Sequence, residues 1–573
     1  MSESRNPSRL LIAQGHRETA SYQTFSSQHV ASEIPQRVVV VGAGPVGLCN
    51  ARTLLDDGFD VTIVTADDGV GGLWRHTFPD LGTNSPWGSF TFSGLEMAKP
   101  PGDGSTIPAG MYCEYLAEFY SLFVRPRATS WFHTKVLTME PGEVAGWDLN
   151  LQSPDGARTE HFDRVVLAVG GLGNTAVPTF HSHDMSSEGV QSVLSLLPSS
   201  DDLPSTQGDA DTVLVVGTGK SAIDNAVLFA KQRRKVLMVG RSFKWMSAPV
   251  KPDFIGSESF LHCTALGGLI ISTAWSVLKK KYGSLYGPKI VPPKTNIHLD
   301  MPRFSVGLTP EFAELVSSGR IAILTGADVV GADDKAVTLT MADGSEGRVR
   351  CGAIIAATGF KGSGKEFLAE ELRDRLGLTR QPMRHGWRDR VKSIRKGWGS
   401  FRPTGPIEDP EIDLPLVYRG IVPIGRYTER DLVVAGGSTK SHWISSFFLA
   451  DPHLVLPPRA AALDDCHAEN EWLRARYPDV DPYYLFPDGT FFSGFADLSH
   501  TRQLLRDLTL DPWRAQRSRW WNPLGWMNVG VKAEDYAGVG EERRERLGLV
   551  SASASCSVSK SKTGPGGKDV DGS

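Results

Sequence analysis

Cysteine is scarce in this chain and badly spaced for chemistry. The six cysteines, Cys49, Cys113, Cys263, Cys351, Cys466 and Cys556, are scattered through 573 residues, with no C-x-x-C pair and no metal-ligand spacing. That argues against a zinc ribbon and a dithiol relay, so no metal site is expected, and scattered thiols favour a reducing, cytoplasmic setting. An excess of one charge is also missing. The chain has 61 Lys and Arg against 65 Asp and Glu, a net charge of -4, which gives no electrostatic basis for binding nucleic acid. Long hydrophobic runs are absent as well. Residues 261–278 come nearest to one, but His262, Thr264, Ser272, Thr273 and Ser276 interrupt it. A buried helix is expected there, with peripheral membrane contact over 261–281 left open because Lys279, Lys280 and Lys281 follow. Residues 1–36 lack the apolar core of a signal peptide and are expected to form a flexible leader; 551–573, almost free of large apolar residues, are expected to be disordered.

Glycine, at 60 residues, is plentiful, and some of it falls at fixed spacing. Arg37-Val38-Val39-Val40-Val41 runs into Gly42-Ala43-Gly44-Pro45-Val46-Gly47, and a helix-forming segment, 48–57, ends before Gly58. A second strand is expected at 61–64. Strand, G-x-G-x-x-G turn and helix form a dinucleotide unit: Gly42 permits the turn, Gly44 lets a pyrophosphate approach the backbone, and Gly47 lets helix and strand pack closely. The helix N-terminus then offers its unpaired N–H groups to the phosphates. A ribose-binding acid is expected about 20 residues beyond the first glycine, and Thr65 stands near that place. Either its hydroxyl makes a weaker bond to the ribose or Asp67 or Asp68 reaches it.

The pattern returns. Residues 199–211 are polar and turn-rich, and Thr212-Val213-Leu214-Val215-Val216 then leads into Gly217-Thr218-Gly219-Lys220-Ser221-Ala222, a helix through Ala230 and a strand at 236–239. Two such units imply two dinucleotides. In the second, Gly240 holds the acidic position and Arg241 follows, a change that suits a ribose 2′-phosphate and favours NADPH; the alternative for Arg241 is a solvated surface arginine. Gly217 to Asp224 also has some likeness to a phosphate-cradling P-loop, but the G-x-x-x-x-G-K-[ST] spacing is missing.

Between and after these units lie Gly71-Gly72-Leu73-Trp74, Thr83-Asn84, Phe92-Ser93-Gly94, Ala168-Val169-Gly170-Gly171 and Ala356-Ala357-Thr358-Gly359-Phe360. In this order, over about 38–437, the motifs resemble the flavin-containing monooxygenase family, class B flavoprotein monooxygenases that include Baeyer–Villiger relatives. The resemblance implies an NADPH-dependent oxidoreductase. By that resemblance, electrons would pass from NADPH to FAD, oxygen would add to the reduced flavin, and the hydroperoxide would give one oxygen atom to a small lipophilic substrate, a nitrogen or sulfur nucleophile or a ketone. Specialised metabolism is the expected setting. It also implies that Gly42, Gly44, Pro45, Val46, Gly47, Thr65, Gly71, Gly72, Leu73, Trp74, Thr83 and Asn84 line the FAD site, with Asn84 holding the hydroperoxide. Gly217, Gly219, Lys220, Ser221, Arg241, Thr358 and Gly359 then serve the nucleotide sites. The family's F-x-G-x-x-x-H-S fingerprint is poorly kept: Phe180-His181-Ser182 matches only its end.

The expected architecture is α/β: two Rossmann-like dinucleotide-binding domains, the second inserted in the first, with a C-terminal helical or irregular cap. The expected divisions are 37–200 and 351–470 for the FAD domain, 205–350 for the NADPH domain with an insertion at 243–308, and 471–550 for the cap. Strands near Val136, at 147–151 and at 165–169 are expected to complete the first layer, and a helix is expected at 112–123. His442 and Trp443, on a helix beginning at Ser438, either face the flavin ring or pack. Two other readings stay open: an NADPH oxidase or reductase that transfers no oxygen to substrate, and a binding protein of this fold that has lost flavin.

Overall fold

A computed structural model describes residues 36–77, 81–83, 87, 91–101, 106–170, 180–181, 191, 193–194, 197, 212–241, 246–247, 273, 305–306, 309–332, 336–358, 365–378, 417–418, 421–423, 432–434, 438–458, 461–463, 465–466, 497–514 and 536–549. The expected leader apart from Gln36, the tail at 551–573 and nearly all of 243–308 therefore lie outside the described residues.

The first sheet is parallel, with the order β20-β7-β1-β2-β3. It comprises β1 (Arg37–Val41), β2 (Asp60–Val64), β3 (Thr129–Trp131), β7 (Arg164–Leu167) and β20 (Leu432–Val434). Val38, Val39, Val40 and Val41 are all buried because both faces of β1 are covered, which is why the strand reads as an unbroken apolar run. On one face lies α1 (Pro45–Asp56); it starts three residues earlier than expected because Pro45, with φ preset and no N–H to satisfy, suits the first helical position. Leu48 and Leu54 of α1 share a core with Trp443, Ile444 and Phe447 of α6 (Ser438–Phe448). In α2 (Ala109–Phe119) the proline, Pro108, is the N-cap residue, and the last turn widens into a π-helical turn at Tyr120–Val124.

The strands β4 (Lys135–Pro141), β5 (Trp147–Ser153) and β6 (Gly156–Phe162) do not complete this layer as expected; of the three expected strands only β7 does. They make a separate antiparallel sheet, and the alternating burial of β5 explains why. Its buried row, Trp147, Leu149 and Leu151, packs with Val39 and Val41 on the far face of β1. Leu372 and Leu376 of α5 (Glu370–Leu376) join them.

The second parallel sheet has the order β13-β10-β9-β17-β8. Its strands are β8 (Phe180–His181), β9 (Thr212–Val216), β10 (Lys235–Gly240), β13 (Ile321–Thr325) and β17 (Ala353–Ala356). Helices α3 (Lys220–Lys231) and α4 (Pro310–Ser317) contribute Phe229 and Phe312 to its core. An antiparallel meander of β14 (Ala327–Ala332), β15 (Val337–Met341) and β16 (Glu346–Val349) follows β13. Two small pairs, β11 (Met246–Ser247) with β12 (Ser305–Val306) and β18 (Val417–Tyr418) with β19 (Val422–Pro423), complete the strands. The chain thus leaves the first sheet after β7 and returns to it at β20, so the second unit interrupts the first. Ala353–Ala356 pairs with β9, so the second sheet extends past the expected boundary at 350.

The C-terminal helices α7 (Asp497–Asp507) and α8 (Val539–Arg546) bring Leu504, Leu505 and Val539 into the core beneath α1 and α6. Among the described residues no helix is long and apolar enough to cross a membrane. Thr273 is the only described residue of 261–281.

Candidate functional site

At the carboxyl end of β1 the chain turns through Gly42, whose φ is 110° and whose N–H donates to the Val64 carbonyl at 2.8 Å. A Cβ there would overlap the Ala168 carbonyl oxygen, and one on Gly47 would overlap the Gly42 carbonyl oxygen. Gly44 caps α1 without a side chain, so the first-turn amides are left to a ligand or solvent; Val46 stands exposed at that tip. The second glycine turn docks on the first. Gly71 donates its N–H to the Ala43 carbonyl at 3.0 Å, and a Cβ on Gly72, where φ is 55°, would stand 3.0 Å from Gly44 Cα. The two turns make a cradle that a side chain would fill. Leu73 is 40% exposed beside it, and half-buried Trp74 meets Tyr112 edge-on with ring centroids 5.2 Å apart. This arrangement fits a pyrophosphate with a flat ring system alongside.

Thr65 is buried at the end of β2, and its hydroxyl accepts from the Asp67 N–H at 3.3 Å. Neither nearby acid is left uncommitted: Asp67 Oδ1 lies 2.8 Å from His76 Nε2, and Asp68 Oδ1 accepts from Arg75 at 2.5 Å. The Arg75 guanidinium lowers the Asp68 pKa below the usual carboxylate value. Both acids brace the 72–76 turn. A threonine thus holds the place expected for the ribose-binding acid, and each following carboxylate has one oxygen bonded within the chain.

Thr83 is buried and structural. Its N–H donates to the Ile107 carbonyl at 3.0 Å, and its Oγ1 accepts the Ile107 N–H at 2.9 Å. Asn84 and Gly359 lie outside the described residues.

The second unit repeats the first. Gly217, with φ at 129°, donates to Val239 O at 2.8 Å, and a Cβ on it would overlap the Ala357 carbonyl oxygen, as Gly42 does with Ala168. Gly219 caps α3 without a side chain, and Ser221 and Thr358 are exposed at the rim. A Cβ on Gly240 would come within 2.7 Å of Thr218 Cγ2, which gives a steric reason for the missing acid. Arg241 is exposed next to it, its carbonyl fixed by the Gly326 N–H at 3.2 Å. Lys220 behaves differently from a phosphate ligand: Nζ donates to the Asp224 carboxylate and, at 3.1 Å, to the Gly82 carbonyl.

Sequence reasoning missed several supporting residues. Asn50 and Asn225 occupy the same place in the two units and donate to Val46 O and Ser221 O, each at 2.8 Å. The signal was available, since both follow the first glycine of their motif by the same interval. Ala168 and Ala357 form the back walls of the two turns, so the A-V-G-G and A-T-G segments are equivalent parts of the repeat. Trp443 is fully buried and stacks on Phe447 at 5.4 Å, which settles its role as packing. Burial pushes the pKa of the Cys113 thiol up near Gly71, away from thiolate chemistry. Among the described residues no group of His, Cys, Asp and Glu is placed to hold a metal ion.

Residues 35–253 match the family model described as flavin-binding monooxygenase-like. The resemblance read from the motifs holds over that stretch. Senecionine N-oxygenase of Tyria jacobaeae is 26% identical over 269 residues, covering 41% of this chain and 54% of the relative. Flavin-containing monooxygenase 1 of Rattus norvegicus is 28% identical over 228 residues, covering 38% and 42%. The chain thus spans about half the length of the curated relatives it matches. Among solved structures, an oxidised steroid monooxygenase bound to NADP aligns with a TM-score of 0.51 at 16% identity, over 83% of this chain and 98% of that one. That likeness is one of fold: two Rossmann-like units in one chain.

Proposed function

We propose that the chain is a monooxygenase that binds FAD in the first cradle and NADPH in the second and places one oxygen atom on a lipophilic small molecule. The observation that carries this reading is the repetition of a turn walled so that only glycine fits, each at a helix start with no side-chain cap. When bound, FAD supplies two-electron chemistry and oxygen activation, with NADPH as the electron source, one atom of O2 entering the substrate and the other leaving as water. The protein holds and orients. The first-turn amides of α1 and α3 would face the pyrophosphates, the Gly44–Gly72 contact would set the cradle's depth, and Trp74 on Tyr112 would wall its side. Arg241 would meet the 2′-phosphate, and the Asn84 amide would hydrogen-bond the flavin's reactive edge without adding charge.

The family match over 35–253 supports this reading, and a relative named for N-oxygenation favours a nitrogen acceptor among the nitrogen, sulfur and ketone classes. Anaerobic NADPH is expected to bleach the protein's flavin absorbance, and added oxygen with an amine substrate to give product in step with NADPH consumed. NADPH loss with hydrogen peroxide as sole product would identify an oxidase instead. Asn84→Ala is expected to retain flavin while diverting oxygen to peroxide; unchanged product yield removes Asn84 from the mechanism.

One observation favours a second reading, a protein of this fold without flavin: the Thr65 hydroxyl and both following carboxylates are engaged within the chain. A purified protein that is colourless and takes up no FAD on reconstitution would select it.

A further inference from the structure

Lysine is the wrong charge for the first position of a helix. The helix dipole is positive there, and a lysine placed N-terminal to its i+4 acid is in the weaker order for such a pair. Lys220 nonetheless opens α3 and bonds Asp224 in that order. Helix stability does not explain it, so the reason must lie off the helix. Its side chain is only 17% exposed, and its ammonium reaches the Gly82 carbonyl of the first unit at 3.1 Å.

The segment it touches is a seam. Leu81 packs against the second unit's core, beside residues such as Val213 and Ile223. Two residues on, Thr83 makes its paired hydrogen bonds to Ile107, and the Leu81 carbonyl accepts the Ala109 N–H at 2.9 Å where α2 starts. Residues 81–83 are thus held by the second unit through a side chain and by the first through the backbone, and they run into Asn84. Asp224 is largely enclosed; burial raises its pKa and Lys220 opposes that rise, so the ammonium is what keeps a carboxylate tolerable there.

We propose that Lys220, backed by Asp224, is a positioning residue that latches the helix of the second nucleotide unit onto the 81–83 seam and so fixes one nucleotide cradle relative to the other. The inference rests on the two-nucleotide reading above. The latch acts on geometry, not on phosphate affinity: the side chain's donors point to Gly82 and Asp224, and the backbone N–H of the helix start remains for the phosphate. A nicotinamide held even slightly out of place loses hydride transfer faster than it loses binding.

The test uses the full-length flavoprotein with Lys220→Met, Lys220→Arg as the rescue and Asp224→Asn. First, amide hydrogen exchange is followed without added nicotinamide nucleotide. Lys220→Met is expected to speed exchange at Thr83, Ile107 and Ala109 by about tenfold or more, with the cores of both sheets unchanged, and Lys220→Arg to restore protection. Second, anaerobic reduction by NADPH is followed by stopped flow. The saturated rate is expected to fall by about tenfold in Lys220→Met with the NADPH dissociation constant moved less than about threefold. Unchanged exchange at the seam overturns the latch. So does a dissociation constant raised about tenfold with the saturated rate preserved, which would make Lys220 a phosphate ligand. Should native protein show no flavin reduction at all, the two-nucleotide reading fails, while the exchange arm still decides whether the latch exists.

Discussion

Arg543 of α8 donates to the Asp57 carboxylate just beyond the end of α1, and both side chains are completely buried. Ser445 donates to the same carboxylate, and Arg543 Nη1 reaches Ser446 Oγ at 3.2 Å. Burial raises the pKa of Asp57, while Arg543 and Ser445 pull it down. The C-terminal cap is therefore pinned by an ion pair to the helix whose other end forms the first cradle. Arg543→Met removes the nearest ion-pair partner of a buried carboxylate, leaving Arg544 at 3.8 Å and Ser445, and is expected to cost about 3 kcal/mol in chemical unfolding. Asp57→Asn with Arg543→Met should cost less than the sum of the two single changes. Additive losses would mean the two groups do not interact.

His442 lies on α6 beside the same cluster. Its Nδ1 is out of solvent without a hydrogen-bond partner among the described residues, and its ring is close enough to Gly540 that a Cβ there would come within 2.8 Å of Cε1. Burial first, then Arg543, Arg544, Arg52 and Arg514, lower its pKa from 6.5 to about 3. The unfolded chain takes up this proton near the ordinary value, and the folded chain refuses it until far lower. The associated stability is thus present above the ordinary value and is lost as pH falls towards the folded one, by at most about 1.4 kcal/mol per pH unit. The urea midpoint is expected to drop between about pH 7 and about pH 5, and His442→Gln to flatten that drop. Parallel losses in both proteins would assign the effect to other groups.

Much of this was legible in the sequence because the signals are steric and local. Gly42, Gly47 and Gly217 sit where backbone carbonyls exclude any side chain, and four consecutive valines in β1 announce a strand covered on both faces. The separate sheet formed by β4, β5 and β6 was harder to place. Its alternation marks a one-sided strand, but nothing local says which sheet it joins. The motif resemblance puts Lys220 among the residues that serve the nucleotide sites. Its real partners, Asp224 and Gly82, include one 138 residues away, which no spacing rule reaches. The pairing of Asp57 with Arg543 was illegible for the same reason.

The contact between Gly72 and Gly44 gives a direct test of the first cradle. A Cβ on Gly72 meets backbone, which cannot move aside as a side chain can, and the positive φ adds strain. Gly72→Ala is expected to weaken FAD binding by about tenfold or more, read by titrating apoprotein with FAD. Gly58→Ala is the control. Gly58 also has a positive φ but would meet nothing within 4 Å, so stability alone should change. Equal FAD affinity in native protein and Gly72→Ala would place the cofactor elsewhere.

Selectivity between the two nicotinamide nucleotides is expected to reside in Thr218, Gly240 and Arg241. The Thr218 methyl occupies the space a side chain at position 240 would need; the matching residue of the first unit is Ala43, and there Thr65 fits. Arg241→Ala removes an exposed guanidinium whose charge-assisted bonds to a 2′-phosphate carry about 1.5–3 kcal/mol, so the KM for NADPH is expected to rise by about tenfold or more. NADH, lacking that phosphate, should be unaffected. Thr218→Ala with Gly240→Asp makes room for a ribose-binding carboxylate and is expected to turn the preference towards NADH, whereas Gly240→Asp alone should impair both nucleotides by forcing the turn apart. If Arg241→Ala raises the KM for both nucleotides equally, the arginine supports the loop rather than the phosphate. If the double variant still prefers NADPH, Thr218 is not what keeps the acid out.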